Sequence, residues 1–167
     1  MLTRVLFAAT LAAVFGFPAV AGAAHHGGSG IVGATRVGDL RMDVSTEADV
    51  RAFAGNPDIV DDHSPYRWIK RLGYNCRERY DCRTEYEINR GTDRLIGFAT
   101  YSKQFRTRRG TRVGDTRKRA ERNERRKANR TLCDGEDRAI VYSDLLWIFF
   151  YQRRVWSIVV GGTYLSC

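Results

Sequence analysis

A five-residue segment occurs twice in this chain of 167 residues. Residues 35–39 read TRVGD, and residues 111–115 repeat the same letters. Each copy precedes a segment with the pattern of a helix, and strand-like runs follow each helix. A chain that repeats a helix-then-strands unit predicts a tandem α+β domain, in which each unit buries part of its apolar face against the other.

The first predicted unit, residues 33–107, has a short extended piece at residues 40–42, then a helix pattern, and ends with a hairpin pattern. Ser45 or Thr46 is placed to cap a helix that ends before Gly55. Strand-like runs follow, and the last two are joined by a turn at residues 90–93. This order predicts a helix that packs against an antiparallel hairpin.

The second predicted unit, residues 108–167, repeats that order. Asp115 or Thr116 caps a helix that extends to about residue 129 and has only small apolar residues, so we expect it to pack shallowly. Two strongly apolar strands then form a hairpin over residues 145–160. The predicted fold class is therefore α+β, with two tandem helix-plus-hairpin units forming one continuous curved sheet and the helices on one face.

The register of the repeat leaves two interpretations open. The predicted caps Thr46 and Thr116 are closer together in the chain than the two pentapeptides are. Either the pentapeptide match arises partly by chance, or the first unit has extra residues before its helix.

Residues 1–24 have the pattern of a secretory signal peptide. A single arginine precedes a long apolar run, Pro18 interrupts the run, and small residues follow it. We expect cleavage near Ala21 to Ala24 and secretion of the remainder, whereas the alternative is an uncleaved membrane anchor. Residues 25–32, which begin with histidine and glycine, are expected to be a flexible lead-in.

All four cysteines follow the predicted signal peptide. An even number of cysteines in an exported chain predicts two disulfides. Of the three pairings, we favour Cys76–Cys82, a short staple, together with Cys133–Cys167, which would tie the end of the second helix to the C-terminus. Cys76 and Cys82 lack the tight spacing of a zinc site, so we expect neither a metal nor another cofactor.

The formal net charge of +9 is concentrated in residues 103–130, which contain thirteen Lys and Arg residues and three acidic ones. Clustered arginine favours anionic partners. The candidate contacts are Arg106, Arg108, Arg109 and Arg112, and the alternative is a solvated face without a ligand. Few aromatic residues lie in this segment, and the protein is expected to be exported, so nucleic acid is a disfavoured partner.

The second hairpin supplies candidate protein-binding residues. Trp147, Phe149 and Tyr151 alternate along one strand, and Trp156 lies in the partner strand. One set must face the helices, and the sequence leaves open which one. An aromatic side chain on the open face would be the kind of anchor that protein interfaces favour.

Candidate catalytic groups are few. Glu85 and Glu87 share a strand face, but Arg83 and Arg94 are placed to pair with them. His63, the only histidine outside the N-terminal pair, lies in a polar loop that we interpret as a solvated turn. A small secreted hydrolase is therefore a lesser alternative, and we expect no enzymatic activity.

Several short segments carry a resemblance to a known superfamily. They are VSTEADV at residues 44–50, GNP at residues 55–57, VGDT at residues 113–116 and the two hairpins. Together they resemble the superfamily of the β-lactamase-inhibitor protein and the SmpA/OmlA outer-membrane-assembly lipoproteins. No lipid-attachment cysteine follows the signal peptide, so the chain is more similar to the soluble inhibitor branch, although its second helix lacks the Gly-x-Pro ending.

The resemblance implies a curved sheet presented to a protein partner. The sequence thus predicts a secreted, monomeric, non-enzymatic protein-binding module of inhibitor type, without identifying the partner. The alternative is an electrostatic binder of an anionic cell-surface polymer or membrane through residues 103–130.

Overall fold

The computed structural model describes residues 30–61, 66–78, 81–128, 130–131, 138–142 and 145–161. The predicted signal peptide, His63 and the predicted Cys133–Cys167 disulfide lie outside these residues. Of the described residues, 48% lie in strands and 14% in helices. No helix in this part of the chain is long and apolar enough to cross a membrane.

The described residues form twelve strands and two helices. In chain order they are β1 (Ile31–Gly33), β2 (Arg36–Val37), β3 (Leu40–Arg41), α1 (Glu47–Ala54), β4 (Ile59–Asp61), β5 (Ile69–Cys76), β6 (Cys82–Asn89), β7 (Arg94–Thr100), β8 (Arg106–Thr107), α2 (Arg117–Glu124), β9 (Arg130–Thr131), β10 (Arg138–Tyr142), β11 (Leu146–Tyr151) and β12 (Arg154–Gly161).

Eight strands form a large antiparallel sheet in the order β4-β5-β6-β7-β12-β11-β10-β9. The pairing of β7 with β12 joins the strands that precede α2 to those that follow it. In that pair Phe98 lies opposite Val160, and Ala99 lies opposite Val159. Because side chains alternate between faces, Phe98 and Ala99 mark opposite sides of the sheet. We call the side of Phe98 the inner face and the side of Ala99 the outer face.

A second sheet of four short strands has the order β3-β2-β1-β8. Strands β1 and β8 are parallel, whereas β1–β2 and β2–β3 are antiparallel. Val32, Val37 and Leu40 lie side by side across it and are buried. They belong to the same apolar cluster as Phe98, so this sheet helps to cover the inner face of the large sheet.

Four aromatic rings form a continuous line through this core. Tyr74 meets Tyr86 with ring centroids 5.5 Å apart, Tyr86 meets Phe98 at 5.1 Å, and Phe98 meets Phe105 at 5.1 Å. Their tilted and edge-to-face arrangements are those that aromatic pairs prefer. The line ties β5, β6 and β7 to the segment that leads into β8.

The predicted fold class is wrong. Instead of two helix-plus-hairpin units with helices on one face, the chain is mostly β and has two sheets. Each helix has eight residues; α1 buries Val50 and Ala54, and α2 buries Ala120 as its one apolar residue. So little apolar surface cannot cover an eight-stranded sheet. Val32 and Val37 of the four-stranded sheet also pack in the apolar core on the inner face.

Both helices begin at the predicted threonines. The side chain of Thr46 accepts a hydrogen bond from the Asp49 amide at 3.2 Å, and the Asp49 carboxylate accepts one from the Thr46 amide at 2.8 Å. This reciprocal pair is a capping box. The side chain of Thr116 accepts from the amide of Arg119 at 3.3 Å. The structure therefore confirms one of the two predicted cap residues at the start of each helix.

The second helix ends earlier than predicted, at Glu124 rather than near residue 129. Arg125 has a left-handed backbone conformation with φ of 53°, which cannot continue a helix. The guanidinium of Arg109 donates to the backbone carbonyl of Glu124. This contact satisfies one of the carbonyls that a helix leaves unpaired at its C-terminus.

The two pentapeptides lie at different distances from their helices. The first forms β2 and the turn into β3, whereas the second leads directly into α2. Their shared glycines, Gly38 and Gly114, both have positive φ, at 57° and 89°. Left-handed backbone strongly favours glycine, which accounts for that letter in both copies. More residues therefore separate the first copy from its helix than the second, and the two copies form different structures.

Candidate functional site

An open groove of about 490 Å³ lies on the outer face, where β6 begins, β7 ends and the β11–β12 turn returns. Aromatic and charged side chains line it: Tyr101, Tyr151, Trp156, Asp81, Arg83, Glu85 and Arg154. We call it the aromatic groove. Its position at the ends of several strands means that strand register decides which side chains enter it.

A β-bulge places Trp156 in the aromatic groove. Phe149 lies opposite Ser157, but the next residue, Phe150, lies opposite Val155, so Trp156 is the extra residue. Strict alternation from the buried Ile158 would place Trp156 on the inner face, yet its side chain is 54% exposed. Bulges commonly redirect a side chain in this way.

Trp156 packs against Tyr101, which follows β7. Their ring centroids are 5.0 Å apart, with a T-shaped angle of 63°. The backbone amide of Tyr101 donates to the carbonyl of Arg83 at 2.8 Å, which extends the β6–β7 pairing by one residue. Tyr151, 53% exposed, lines the same groove. Three aromatic side chains therefore meet at one end of the outer face.

The loop before α2 forms one wall of the groove. The amide of Gly114 donates to the carbonyl of Val155, and the amide of Val155 donates to the carbonyl of Asp115, each at 2.8 Å. The Arg154 guanidinium also donates to the Gly114 carbonyl at 3.0 Å. These bonds attach the loop to the start of β12 next to Trp156, so the groove has a fixed wall.

The electrostatics of the groove are balanced. Asp81 and Glu85 contribute negative charge, and Arg83 and Arg154 contribute positive charge. The pKa of Tyr101 is raised because burial disfavours its phenolate and because Glu85 is negative, while Arg71 acts in the opposite direction. The phenol therefore stays neutral, and the groove has no net preference for an anion or a cation.

The structure divides the four predicted aromatic anchors into two pairs. Tyr151 and Trp156 are exposed in the groove, whereas Trp147 is buried and stacks on the half-buried Phe149 with centroids 5.8 Å apart. Trp147 belongs to a separate cluster on the outer face, with Ala99, Ala139 and Val159. The second pair thus contributes to packing rather than to an accessible surface.

None of the four predicted arginine contacts lines the aromatic groove. Arg106, Arg108 and Arg112 are exposed on the second sheet and its hairpin, and Arg109 binds the end of α2. The sequence segment 103–130 is therefore not one surface. Arg106, Arg108 and Arg112 instead lie on the exposed side of the second sheet, together with residues of β1, β2 and β3.

The candidate catalytic groups do not assemble into a site within the described residues. Glu85 and Glu87 share the outer face as predicted, but the expected pairing is wrong for Arg94, which donates to the Val44 carbonyl. Arg71 pairs instead with the buried Glu87 at 3.3 Å. No group of three or more potential metal ligands lies together in this part of the chain.

Sequence patterns missed the groove as a unit. The sequence predicts Glu85 and Tyr101 at the ends of two separate strands and Arg83 as a partner for the glutamates, with nothing to bring the three together. The β6–β7 register places Glu85 opposite Ala99 and so brings all three to one end of the sheet. The Cys76–Cys82 disulfide, which was predicted, is formed beside the groove and joins paired positions of β5 and β6.

No family model matches the chain, and no curated protein does. Among solved structures, an extracellular protein containing a SCP domain from Bacillus anthracis str. Ames is similar, with a TM-score of 0.49 and 10% sequence identity. The match covers 71% of this chain and 43% of that chain, so this chain corresponds to less than half of that protein. A likeness this distant supports no statement about function.

Proposed function

We propose that this chain is a secreted, non-enzymatic module that binds another protein through the aromatic groove. The observation that carries the proposal is the exposed Trp156, which a bulge places on the outer face, where it packs against the half-buried Tyr101. Burying a half-exposed tryptophan would remove apolar area from water, and Trp and Tyr are the residue types that dominate protein interfaces.

The charge pattern supports a protein as the occupant. The groove presents two acidic and two basic side chains around its aromatic centre. A mixed rim of this kind matches a protein surface with charges of both signs better than a polymer of one sign. A protruding loop of the partner, with an apolar side chain against Trp156, is the occupant that fits an open groove of this size.

Export of the protein would explain both the disulfide and the signal-peptide pattern of residues 1–24. A disulfide between Cys76 and Cys82 suits an oxidising compartment. We propose that residues 1–24 act as a signal peptide, cleaved near Ala21 to Ala24, and that the mature chain acts as a monomer. We infer a binding role also from the short segments that resemble the β-lactamase-inhibitor superfamily, and this resemblance does not identify the partner.

The experiment is a capture assay with the oxidised mature protein against secreted and cell-envelope fractions, at low and high salt. Its matched control is Trp68, which is 49% exposed and also lies next to a tyrosine, Tyr66. We expect one protein to be retained at high salt by the wild type and by Trp68→Ala, and lost by Trp156→Ala. Retention of no protein at high salt, or equal retention by both variants, would overturn the proposal.

A further inference from the structure

The exposed side of the four-stranded sheet carries a row of arginines. Across it, Arg41 of β3 lies opposite Arg36 of β2, and Arg36 lies opposite Gly33 of β1. Strand β8 runs parallel to β1 in the register Val32 opposite Thr107, so Arg108 comes next to Gly33. Adjacent strands are about 4.8 Å apart. Arg36 is therefore one strand separation from Arg41 and two strand separations from Arg108.

Two of these side chains lie on either side of Gly33. A Cβ atom added to Gly33 would be 3.4 Å from Cγ of Arg36 and 3.8 Å from Cδ of Arg108. The stems of both arginines therefore border the space above Gly33 at van der Waals distance. This arrangement brings their two guanidinium groups toward one strip of surface.

Two further arginines extend the row. Arg106 precedes Arg108 by two residues and so projects to the same side, and Arg112 is bridged to Arg106. We call Arg36, Arg41, Arg106, Arg108 and Arg112 the arginine face. All five are exposed. Two of them come from the start of the described chain, outside the segment in which the sequence concentrates its charge.

Four of the five arginines have no ion-pair partner within the part of the chain that the structure describes, and the fifth, Arg112, has the Asp115 carboxylate bonded to its backbone amide at 2.9 Å. The side chains of Arg36, Arg41, Arg106 and Arg108 form none of the ion pairs found there, all of which involve other residues. Arg109 is different, because its guanidinium is bound to the backbone of α2. Like charges held close together repel one another, and a bound polyanion would relieve that repulsion.

We propose that the arginine face binds an extended polymer whose phosphate groups repeat along its backbone. This surface is separate from the aromatic groove, and its use goes beyond the proposed protein binding. Guanidinium groups form paired, parallel hydrogen bonds with phosphate oxygens, which the ammonium group of lysine cannot do. All five cations are arginines. Arg41, Arg36 and Arg108 form a row across the sheet, with Arg106 and Arg112 beside its end, and this arrangement suits an extended ligand.

Two other anionic macromolecules fit the face less well. None of the described residues on it is aromatic, so unpaired bases would find nothing on which to stack. Ile31 is its one apolar residue among those described, and it is half-buried. A face without exposed apolar side chains offers nothing to insert into a lipid surface. A free phosphate polymer needs only charge and hydrogen-bond donors.

The test uses inorganic polyphosphate as the probe and the oxidised mature protein. The double variant Arg36→Gln/Arg108→Gln removes the two arginines beside Gly33. Its control, Lys118→Gln/Arg153→Gln, removes the same charge from exposed residues at the start of α2 and in the β11–β12 turn, neither of which belongs to the four-stranded sheet. Both variants change exposed side chains, and thermal unfolding would verify that they fold.

We expect the first variant to bind polyphosphate at least about tenfold more weakly than the wild type at about 150 mM salt, with a shallower salt dependence. The control should lose no more than about threefold, as expected for a change in net charge alone. Arg36→Lys/Arg108→Lys keeps the charge but should still bind more weakly, since the paired hydrogen bonds are lost.

Four results would overturn the proposal. They are equal losses in the two glutamine variants, polyglutamate binding as tightly as polyphosphate, single-stranded DNA binding more tightly per phosphate, and binding to phosphatidylglycerol vesicles without binding to polyphosphate. The third result would indicate nucleic acid as the ligand, and the fourth would indicate a lipid surface.

Discussion

Trp156 of β12 and Tyr101, which directly follows β7, form a T-shaped pair with ring centroids 5.0 Å apart, where these two central strands of the large sheet pair. The pair exists because β12 has one residue more than β11 across their bulge. Without that residue, Trp156 would face the core beside Ile158. A single irregularity in strand pairing thus creates the accessible aromatic surface of this protein.

The disulfide beside the groove requires a glycine. A Cβ added to Gly73 would lie 2.5 Å from Sγ of Cys82 and 2.9 Å from Sγ of Cys76, closer than atoms can approach without movement. We expect Gly73→Ala to lower the free energy of unfolding by about 1–3 kcal/mol, because the crosslinked sulfurs cannot move away. Thermal or denaturant unfolding of the oxidised protein measures this.

The control for that variant is Gly91→Ala, where an added Cβ would meet only the Asn89 side chain, at 3.4 Å. We expect a small effect there. The cost of Gly73→Ala should also decrease when the disulfide is reduced, since free thiols can rotate away from the new methyl group. An equal cost in the oxidised and reduced protein would contradict this explanation.

Several features of the fold were predictable because they depend on local chemistry. Thr46 and Thr116 cap their helices, the turn at residues 90–93 joins β6 to β7, and the apolar hairpin over residues 145–160 corresponds to β11 and β12. Caps and turns depend on the hydrogen-bonding capacity of a few neighbouring residues. Such signals do not require knowledge of tertiary contacts.

The four-stranded sheet and the groove were not predictable in the same way. Strands β2 and β8 each have two residues, which is too short for an alternating pattern to be recognised, whereas β3 lies in the predicted extended piece. The bulge places the Trp156 side chain on the outer face, whereas strict alternation along β12 predicts the inner face. The pairing of Arg71 with Glu87 depends on the β5–β6 register, which the sequence does not specify locally.

An ion-pair cluster at the start of α1 should make stability depend on pH. Glu47 binds Lys70 at 2.7 Å and Arg51 at 2.8 Å. Burial acts to raise the pKa of Glu47, but the bonds to Lys70 and Arg51 outweigh it, so the pKa lies below its ordinary 4.5. The stabilisation is therefore present above pH 4.5 and is lost as the pH falls through the lowered value.

We expect Glu47→Gln to lower the free energy of unfolding by about 0.5–1 kcal/mol at neutral pH, since the partners are partly exposed and water screens them. The difference from wild type should disappear at a pH low enough to protonate Glu47. Asp43→Asn, which changes an exposed carboxylate, is the matched control. A difference that persisted unchanged in acid would show that the effect of Glu47→Gln is not electrostatic.

A buried carboxylate connects α2 to the four-stranded sheet. The hydroxyl of Thr107 in β8 donates to the carboxylate of Glu124, which is 2% exposed, and accepts from the amide of Thr111 at 3.1 Å. Thr107→Val has a similar shape but makes neither bond. We expect it to lower the free energy of unfolding by about 1–3 kcal/mol, because a buried charged group loses a hydrogen-bond donor.

Chemical denaturation measures this effect, and Thr35→Val is the control because Thr35 is exposed in the turn between β1 and β2. The control should change stability by less than about 0.5 kcal/mol, as surface substitutions usually do. If both variants were equally stable, the Thr107–Glu124 contact would have no structural importance.

Protein binding by the aromatic groove is tested most directly by the dissociation constants of wild type, Trp156→Ala and Trp68→Ala for the protein captured at high salt. Loss of an aromatic anchor at the centre of an interface costs about 2 kcal/mol or more, which is roughly a thirtyfold weakening. We predict that loss for Trp156→Ala, with Trp68→Ala within about threefold of wild type and all three proteins equally stable. Equal affinities for Trp156→Ala and wild type would contradict the claim.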